Sequence, residues 1–132
     1  MITAERAEVR APLDPEASSA AEARSVVRRA LSSWGLSSIE EVACLLVSEL
    51  VANLVLHAAS PGELTLWRRG DLVHVGVSDH DPRPPRRLHR PRLAGSGRGL
   101  ALVEDLADTW GYEASRDGVG KTVWFELRSQ HP

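Results

Sequence analysis

A helix-forming stretch with three polar residues at fixed spacing is the part of this sequence best suited to chemistry. Glu49, Asn53 and His57 stand four positions apart within SELVANLVLHAA, residues 48–59. Four positions advance an α-helix about 40° beyond a full turn, so the three side chains share one side. Apart from Ser48, apolar neighbours fill the other positions, and we expect a helix that is buried nearly all round. An unpaired buried amide costs about 2–7 kcal/mol and an ionised acid costs more, so both groups need partners.

The pair formed by Glu49 and Asn53 suits phosphoryl chemistry. An Asn oxygen is a suitable ligand for a Mg²⁺ ion that mainly holds phosphates and water. A nearby Glu can orient or deprotonate a nucleophile. The alternative is a polar network that only joins the helix to a sheet, and the spacing leaves both interpretations open.

Two further motifs are suited to parts of the same ligand. Residues 95–103, GSGRGLALV, place glycines directly before a helix, where free backbone N–H groups and the helix dipole favour a phosphate. Asp79 ends a strand pattern, and a partly buried carboxylate there can accept a hydrogen bond from an exocyclic amine such as adenine N6. Taken singly, the glycines could instead form a hinge, and the aspartate could start a turn.

The hydrophobic periodicity predicts the elements that position these motifs. Apolar residues recur at helical spacing in three segments and alternate with polar residues in five others. Two helix starts carry capping signals: Asp14 before Pro15, and Ser37 or Ser38 three residues before a glutamate. In chain order we expect an edge strand over 5–11, helices over 14–34 and 39–57, strands over 63–69 and 72–78, a helix over 100–110, and strands over 112–115 and 121–128.

This order of elements predicts an α+β fold. Neighbouring strands joined by tight turns imply a two-layer α/β sandwich, with a mixed, mainly antiparallel sheet and helices on one face. Residues 80–97 hold four of the eight prolines, which disfavours a packed helix or strand and indicates a lid. At 132 residues we expect a single domain, 1–132, with an N-terminal edge segment over 1–14 and a tail over 129–132.

Composition and charge favour a soluble globular protein. Hydrophobic content is 42%, charged content is 26% and the net charge is -2, so the whole molecule does not attract nucleic acid or anionic membrane. The arginines of 80–97 could form a nucleic-acid patch, but no aromatic residue is interleaved for base stacking. Cys44 is the single cysteine, and neither a signal peptide nor a long apolar run is visible. We therefore expect a cytoplasmic protein without direct contacts to nucleic acid or membrane.

In this combination and order, the motifs resemble the GHKL or Bergerat-fold ATP-binding superfamily, and most closely its anti-sigma-factor serine kinases. The resemblance covers about residues 15–128. It rests on four segments: ELVANLVLHA (49–58), which is like the N box; DHDP (79–82), in place of the first glycine box; GSGRGL (95–100), which is like the second; and GKTVWFEL (120–127), which is like the final strand.

The resemblance implies a role for each matching residue. Glu49 would be the general base that activates the attacking hydroxyl, and Asn53 would be the Mg²⁺ ligand. Asp79 would read adenine N6, and Thr122 would support the adenine pocket. The other implied ATP-binding positions are His57, Gly97, Arg98, Gly99 and Leu100, of which the Gly-Arg-Gly segment would hold phosphates.

The function implied by the resemblance is that of an ATP- and Mg²⁺-dependent serine kinase. It would be a homodimer that sequesters a sigma factor and phosphorylates a STAS-type anti-anti-sigma antagonist, and so regulates transcription by partner switching. Two other hypotheses remain open: a non-catalytic nucleotide-binding module that captures a protein partner, and an arginine-rich nucleic-acid binder. Glu49 favours the kinase over the module, because binding alone does not require a base.

Overall fold

The computed structural model describes residues 6–58, 60–83, 99–115 and 118–129 of the chain. Within these ranges, five strands form one sheet and three α-helices lie against it. The elements, in chain order, are β1 (Arg6–Leu13), α1 (Ser19–Trp34), a 3₁₀ turn (Ser37–Ile39), α2 (Glu40–Asn53), a π-helical turn (Leu54–Ala58), β2 (Gly62–Arg69), β3 (Leu72–Asp79), α3 (Gly99–Leu106), β4 (Thr109–Ala114) and β5 (Lys121–Arg128).

The sheet has the strand order β1-β2-β3-β5-β4, and each pairing is antiparallel. Strand β3 lies in the middle, where Asp79 pairs in register with Lys121 of β5. A tight turn joins β2 to β3, and Gly70 in that turn adopts a left-handed φ of 61°. Glycine takes this conformation without a steric penalty. The predicted α+β class with helices on one face of the sheet is confirmed.

One face of the sheet, called the inner face here, is apolar and packs against the helices. Alternate strand residues point to it, which explains the alternating sequence pattern. The opposite, outer face carries Trp67, His74 and Trp124, whose rings stack in a row. The inner-face side chains form one core with α1 and α2, and the most buried among them are Leu64, Leu66, Val73, Val75, Val77, Val123, Phe125 and Leu127.

Neither predicted capping signal forms, since the residues at the cap positions are Ser18 for α1 and Ile39 for α2, and neither makes a side-chain capping bond; Ser37 lies in the 3₁₀ turn before α2. Helix α1 begins at Ser19 rather than Asp14, and the Ser19 hydroxyl donates to the Asp14 carbonyl oxygen at 2.6 Å. Ser38 forms no capping box, because its hydroxyl makes a 3.1 Å hydrogen bond with the Ser129 hydroxyl. The predicted helix end was correct for α1, where Gly35 follows with a φ of 74°.

The predicted helix over 100–110 is shorter in the structure, and its last part is a strand. Helix α3 ends at Leu106, and β4 then pairs with β5. Trp110 lies opposite Phe125 in that pairing. Gly111 lies under the Trp124 indole, where a Cβ would come within 2.8 Å of ring carbon Cζ2. Cross-strand aromatic packing therefore outweighs the helical periodicity of this segment.

The central helix is not buried all round, contrary to the prediction. Leu45 is 41% exposed and Leu56 is 56% exposed, whereas Leu46 is fully buried. Leu45 and Leu56 are eleven positions apart, which is about three helical turns, so they lie on one side of the helix. In the described part of the chain, neither the sheet nor the other helices cover this side.

The burial difference between Leu45 and Leu46 predicts very different effects of the same truncation. Leu46→Ala is expected to lower the free energy of unfolding by about 2–5 kcal/mol, because it leaves a cavity in the core. Leu45→Ala removes the same atoms from an exposed side, and its expected loss is below about 1 kcal/mol. Urea unfolding followed by tryptophan fluorescence measures both losses. Equal losses would contradict the observed packing of α2.

Candidate functional site

The C-terminal end of α2 holds an amide nitrogen that is buried and has no partner in the described part of the chain. Asn53 is the last residue of α2, and its Nδ2 is buried with no hydrogen-bond partner among the residues that the structure describes. A donor left in this condition costs about 1–3 kcal/mol. Because buried polar groups in native proteins are nearly always paired, this nitrogen makes Asn53 a candidate ligand-binding residue.

Glu49 lies one turn before Asn53 on α2 and is half-buried. The spacing of four therefore brings the carboxylate and the amide to one side of the helix. After Asn53 the helix widens into the π-helical turn Leu54–Ala58, and such turns are frequent at functional sites. The backbone of His57 belongs to this turn, while its side chain lies outside the described part of the structure.

A second polar group, the Asp79 carboxylate, lies on the inner face at the end of β3. It forms an ion pair with Lys121, whose Nζ lies 3.2 Å from Oδ1 and 3.1 Å from Oδ2. The backbone N–H of Asp81 donates to Oδ1 at 2.7 Å. Lys121 Nζ also donates to the Asp81 carbonyl oxygen at 3.0 Å. These bonds fix the carboxylate at the point where the chain leaves the sheet.

Two glycines allow the ends of α2, β2, β3 and β5 to approach one another. A Cβ on Gly120 would overlap the Asp79 carbonyl oxygen, so a glycine is needed where the chain enters β5. A Cβ on Gly62 would overlap the Ser78 carbonyl oxygen and would lie 2.5 Å from Leu54 Cδ1. Leu54 directly follows Asn53. The unpaired amide and the Asp79 carboxylate therefore lie at the same end of the sandwich.

Thr122 lies on the outer face, away from Asp79. A Cβ on Gly76 would lie 3.2 Å from Thr122 Cγ2 and 3.8 Å from His74 Nε2, and His74 is an outer-face residue. Because successive side chains of β5 point to opposite faces of the sheet, Lys121 occupies the inner-face position opposite Asp79. Lys121 was not among the predicted site residues, although the alternation of the buried positions along β5 indicates its face.

The predicted phosphate-binding segment is described only in part. Gly97 and Arg98 lie outside the described residues, as does most of the predicted lid over 80–97. Helix α3 is described from Gly99 onward and includes Leu100, whose side chain lies outside the described part. The residues just before Gly99 lie outside the described ranges, so the phosphate-binding helix start stays a prediction.

An ion pair organises the first residues of the predicted lid. Arg83 Nε donates to the two Asp81 carboxylate oxygens at 2.9 and 3.0 Å, and Arg83 Nη2 donates to Oδ2 at 2.6 Å. These side-chain hydrogen bonds lower the pKa of Asp81 and raise the pKa of Arg83. Asp81 is therefore ionised at neutral pH. Its side chain binds Arg83, while its backbone N–H donates to Asp79 and its carbonyl oxygen accepts from Lys121.

Cys44 lies away from this site, between α1 and α2. Burial is the main reason why the pKa of its thiol is raised. The thiol contacts the Arg24 carbonyl oxygen at 3.8 Å, and Arg24 Nη1 donates to the Ser48 hydroxyl at 2.9 Å. A buried thiol with a raised pKa forms little thiolate at neutral pH, so Cys44 serves packing rather than catalysis.

Other ligand and membrane features were absent from the part of the chain that the structure describes. No three His, Cys, Asp or Glu side chains there cluster as metal ligands. A Mg²⁺ ion at the α2 end would instead take the Asn53 carboxamide oxygen together with phosphate and water oxygens. Over the same ranges, no helix has the length and apolar character needed to cross a membrane.

A family model described as the histidine kinase-like ATPase domain matches residues 12–127. The matched range includes both the Asn53 end of α2 and the Asp79 end of β3. The chain belongs to the histidine kinase-like ATPase domain family. ATP binding is the property that this membership implies, and the superfamily expected from the sequence motifs is confirmed at this level.

The fold of this ATPase domain also occurs in a solved structure. The crystal structure of the RsbU and RsbW domains of Rv1364c from Mycobacterium tuberculosis matches 96% of this chain with a TM-score of 0.71. The two sequences are 21% identical, and the chain spans 33% of the mycobacterial chain, so the likeness concerns the fold. No curated protein sequence matches this chain.

The described residues of the ATPase domain fit a nucleotide. Among the described residues, Asn53 Nδ2 has no partner, and Asp79 Oδ1 accepts two hydrogen bonds, whereas Oδ2 makes an ion-pair contact with Lys121 Nζ at 3.1 Å. A carboxylate oxygen can accept two hydrogen bonds, so Oδ2 retains an acceptor site. A ligand with phosphates and an exocyclic amine would therefore offer partners to Asn53 Nδ2 and to Asp79 Oδ2, judged from the residues that the structure describes.

Proposed function

We propose that this ATPase domain is an ATP- and Mg²⁺-dependent serine kinase that regulates transcription by partner switching. It acts in the cytoplasm as a homodimer, sequesters a sigma factor and phosphorylates a STAS-type anti-anti-sigma antagonist. The family membership and the resemblance of four sequence segments to anti-sigma-factor kinases support this proposal. The fold shared with a structure that contains an RsbW domain is consistent with it.

The observation that carries the proposal is the buried Nδ2 of Asn53, which has no partner among the described residues and lies one turn after Glu49. A network with only a structural role would pair this donor within the protein. A Mg²⁺-bound triphosphate suits both ends of the carboxamide. The oxygen can bind the metal ion, and the NH₂ group can donate to a phosphate oxygen.

In the proposed complex, adenine lies against Asp79 and the phosphates lie between Asn53 and the start of α3. Bound Mg²⁺ neutralises charge on the phosphates. Asp79 accepts a hydrogen bond from adenine N6 through Oδ2. The segment Gly97, Arg98 and Gly99 donates backbone N–H groups to phosphate oxygens, with His57 and Leu100 nearby. Thr122 is left out of this complex, because it lies on the outer face.

Glu49 is the general base of the proposed reaction. It accepts the proton of a serine hydroxyl while the serine oxygen forms a bond to the γ-phosphorus of ATP. The bond between that phosphorus and the ADP oxygen breaks, and ADP leaves with the electron pair. Phosphoryl transfer depends mostly on positioning and charge neutralisation, so one small domain can supply what it needs.

Incubation of the purified protein with γ-labelled ATP and candidate antagonists tests this proposal. We expect Mg²⁺-dependent transfer of label to a serine of an antagonist, and a loss of transfer in Glu49→Gln. Glu41→Gln is the matched control, since Glu41 is an exposed residue in the first turn of the same helix. ATP binding without transfer to any antagonist would reject the kinase and favour a module that only captures a protein partner.

A further inference from the structure

Strand β1 lies at one edge of the sheet, and in the described part of the chain no strand pairs with its outer side. An edge of this kind presents a row of backbone N–H and C=O groups that can pair with another chain. Strand β1 has 8 residues, whereas β4 at the opposite edge has 6. The edge of β1 is therefore the longer of the two sheet edges.

The direction of the backbone groups of β1 follows from a contact on the far side of β2. The Ser78 hydroxyl of β3 donates to the Glu63 carbonyl oxygen at 3.4 Å, so the backbone of Glu63 faces β3. Glu63 lies opposite Pro12 of β1, and this pair is therefore one that exchanges no hydrogen bonds. The backbone of Pro12 faces the open edge, where its missing N–H interrupts no bond to β2. Since the direction alternates along a strand, Arg10 and Glu8 face the open edge as well.

The charges along this edge are complementary to those of a second copy of the same strand. Two copies of β1 related by a two-fold axis at Val9 pair as antiparallel strands, with Glu8 opposite the partner's Arg10. By symmetry, Arg10 lies opposite the partner's Glu8. An axis at Glu8 or at Arg10 would instead place like charges opposite each other, which is unfavourable. Val9 is also near the middle of β1, so this register pairs almost the whole strand.

The side chains of this edge are exposed enough to reach a partner. Arg10 is 60% exposed, and its guanidinium contacts the carboxylates of Glu8 at 3.0 Å and Glu63 at 3.1 Å. A partner's Glu8 would join this cluster from the open side. Exposed ion pairs contribute little affinity, but they select one register over another.

An apolar groove next to the same edge provides surface that a second copy can bury. It has a volume of about 370 Å³ and lies between β1 and α1, with Val9, Ala11, Val26, Ala30 and Trp34 among its lining residues. All of these except Ala30 are only partly buried. Opposite residues of an antiparallel pair share one face of the sheet. An axis at Val9 therefore keeps both copies of α1 on the same face, and the two grooves meet across the axis.

We propose that this ATPase domain binds a second copy of itself through the outer edge of β1. In this dimer, Glu8 and Arg10 of each copy lie opposite Arg10 and Glu8 of the other, and the apolar grooves of the two copies face each other. The two five-stranded sheets form one continuous sheet. The inference rests on the proposed function for the existence of a homodimer, and it assigns the surface that forms it.

Reversing either charge should weaken the dimer. Glu8→Arg places like charges opposite each other at the partner's Arg10, and Arg10→Glu does so at the partner's Glu8. Each substitution acts twice in a symmetric dimer, so we expect the dissociation constant to rise about 10-fold or more. Sedimentation equilibrium over a range of protein concentrations measures this constant. Arg128→Glu is the matched control, because Arg128 forms an exposed ion pair with Asp71 away from β1 and should leave dimerisation unchanged.

A mixture of Glu8→Arg and Arg10→Glu proteins separates charge pairing from damage to the fold. In the mixed dimer, positions 8 and 10 are both basic in one chain and both acidic in the other, so each cross-strand pair again has opposite charges. We expect its dissociation constant to lie within about threefold of the wild-type value. A mixture that associates as weakly as either variant alone would overturn the inference, and so would single variants that dimerise like the wild-type protein.

Amide hydrogen exchange of the wild-type protein tests the edge without any substitution. The N–H groups of Glu8 and Arg10 should become protected as the protein concentration rises through the dissociation constant, whereas that of Val9 faces β2 and should be protected throughout. A dimer in which the Glu8 and Arg10 amides stay unprotected would overturn the inference and leave the proposed homodimer standing. A protein that remains monomeric up to about 1 mM would reject both the homodimer and its interface, while label transfer would still test the kinase separately.

Discussion

Replacing Asn53 with alanine is expected to lower the affinity for Mg·ATP by about 100-fold or more, a size typical of lost metal-site contacts. The same substitution should leave the stability of the protein unchanged or slightly higher. The reason is that the removed Nδ2 is buried and has no hydrogen-bond partner in the described structure. Its removal breaks no bond between described residues, and it relieves a desolvation penalty of about 1–3 kcal/mol.

The matched substitution for this test is Glu49→Gln, one turn earlier on α2. Glutamine keeps the size of the side chain but cannot act as a base, so ATP affinity should stay within about threefold of the wild-type value. The rate of phosphoryl transfer should fall by about 10²- to 10⁴-fold, the usual contribution of a general base. Calorimetry measures the affinities, and single-turnover transfer measures the rates.

Together, the Asn53→Ala and Glu49→Gln variants separate a loss of ATP binding from a loss of phosphoryl transfer. If Asn53→Ala bound Mg·ATP like the wild-type protein, the unpaired amide would have another explanation than a ligand. If Asn53→Ala instead unfolded, the amide would have a structural partner among residues outside the described ranges. If Glu49→Gln lost binding as strongly as Asn53→Ala, Glu49 would belong to the binding site, and its role as the base would be rejected.

Gly120→Ala is expected to lower the stability of the protein strongly. A Cβ there would overlap the Asp79 carbonyl oxygen, and it would lie 2.8 Å from the Asp79 carbonyl carbon and 2.9 Å from His80 Cα. All three atoms are backbone, so no side-chain rotation can relieve the overlap. The start of β5 must move away from β3, with an expected loss of about 2–4 kcal/mol in the free energy of unfolding.

The same movement separates Lys121 from Asp79, so ATP binding should weaken along with stability. Gly70→Ala provides the control, because Gly70 has no atom within 4 Å of an added Cβ but has a φ of 61°. It should lose about 1 kcal/mol through backbone strain alone and bind ATP normally. Urea unfolding and calorimetry measure the two properties. A Gly120→Ala protein as stable as the Gly70→Ala protein would contradict the close approach of β5 to β3.

Much of the fold follows from local signals in the sequence. Strands β2, β3 and β5 were predicted to within one residue at each end, because their alternation is clear and Gly70 marks the turn. The ends of α3 and β4 were not predictable in this way. Residues 100–110 have helical periodicity, and only the pairing of Trp110 with β5 places the second half in a strand.

The exposure of Leu45 was also beyond what the sequence could indicate. Every apolar residue on α2 looks equally suited to a core, and only the packing of the other elements determines which side stays open. The capping box predicted at Ser38 was wrong for a similar reason. The Ser38 hydroxyl has a partner ninety-one positions away, Ser129, and a local motif contains no information about such a contact.

The candidate site was predictable where its geometry is local. The helical spacing of Glu49 and Asn53 is an intrinsic property of α2, and Asp79 was expected at the end of a strand. The contact between Asp79 and Lys121 was missed, because cross-strand register depends on how β3 and β5 pair in the sheet. The same register accounts for Thr122, which was expected in the adenine pocket and lies on the outer face.

The proposed function depends on where ATP binds. A crystal structure of the wild-type protein with Mg²⁺ and a non-hydrolysable ATP analogue tests this most directly. We predict that adenine N6 lies within hydrogen-bond distance of Asp79 Oδ2, and that the Asn53 carboxamide contacts the metal ion or a phosphate. Adenine bound away from Asp79, or phosphates out of reach of Asn53, would contradict the proposed site.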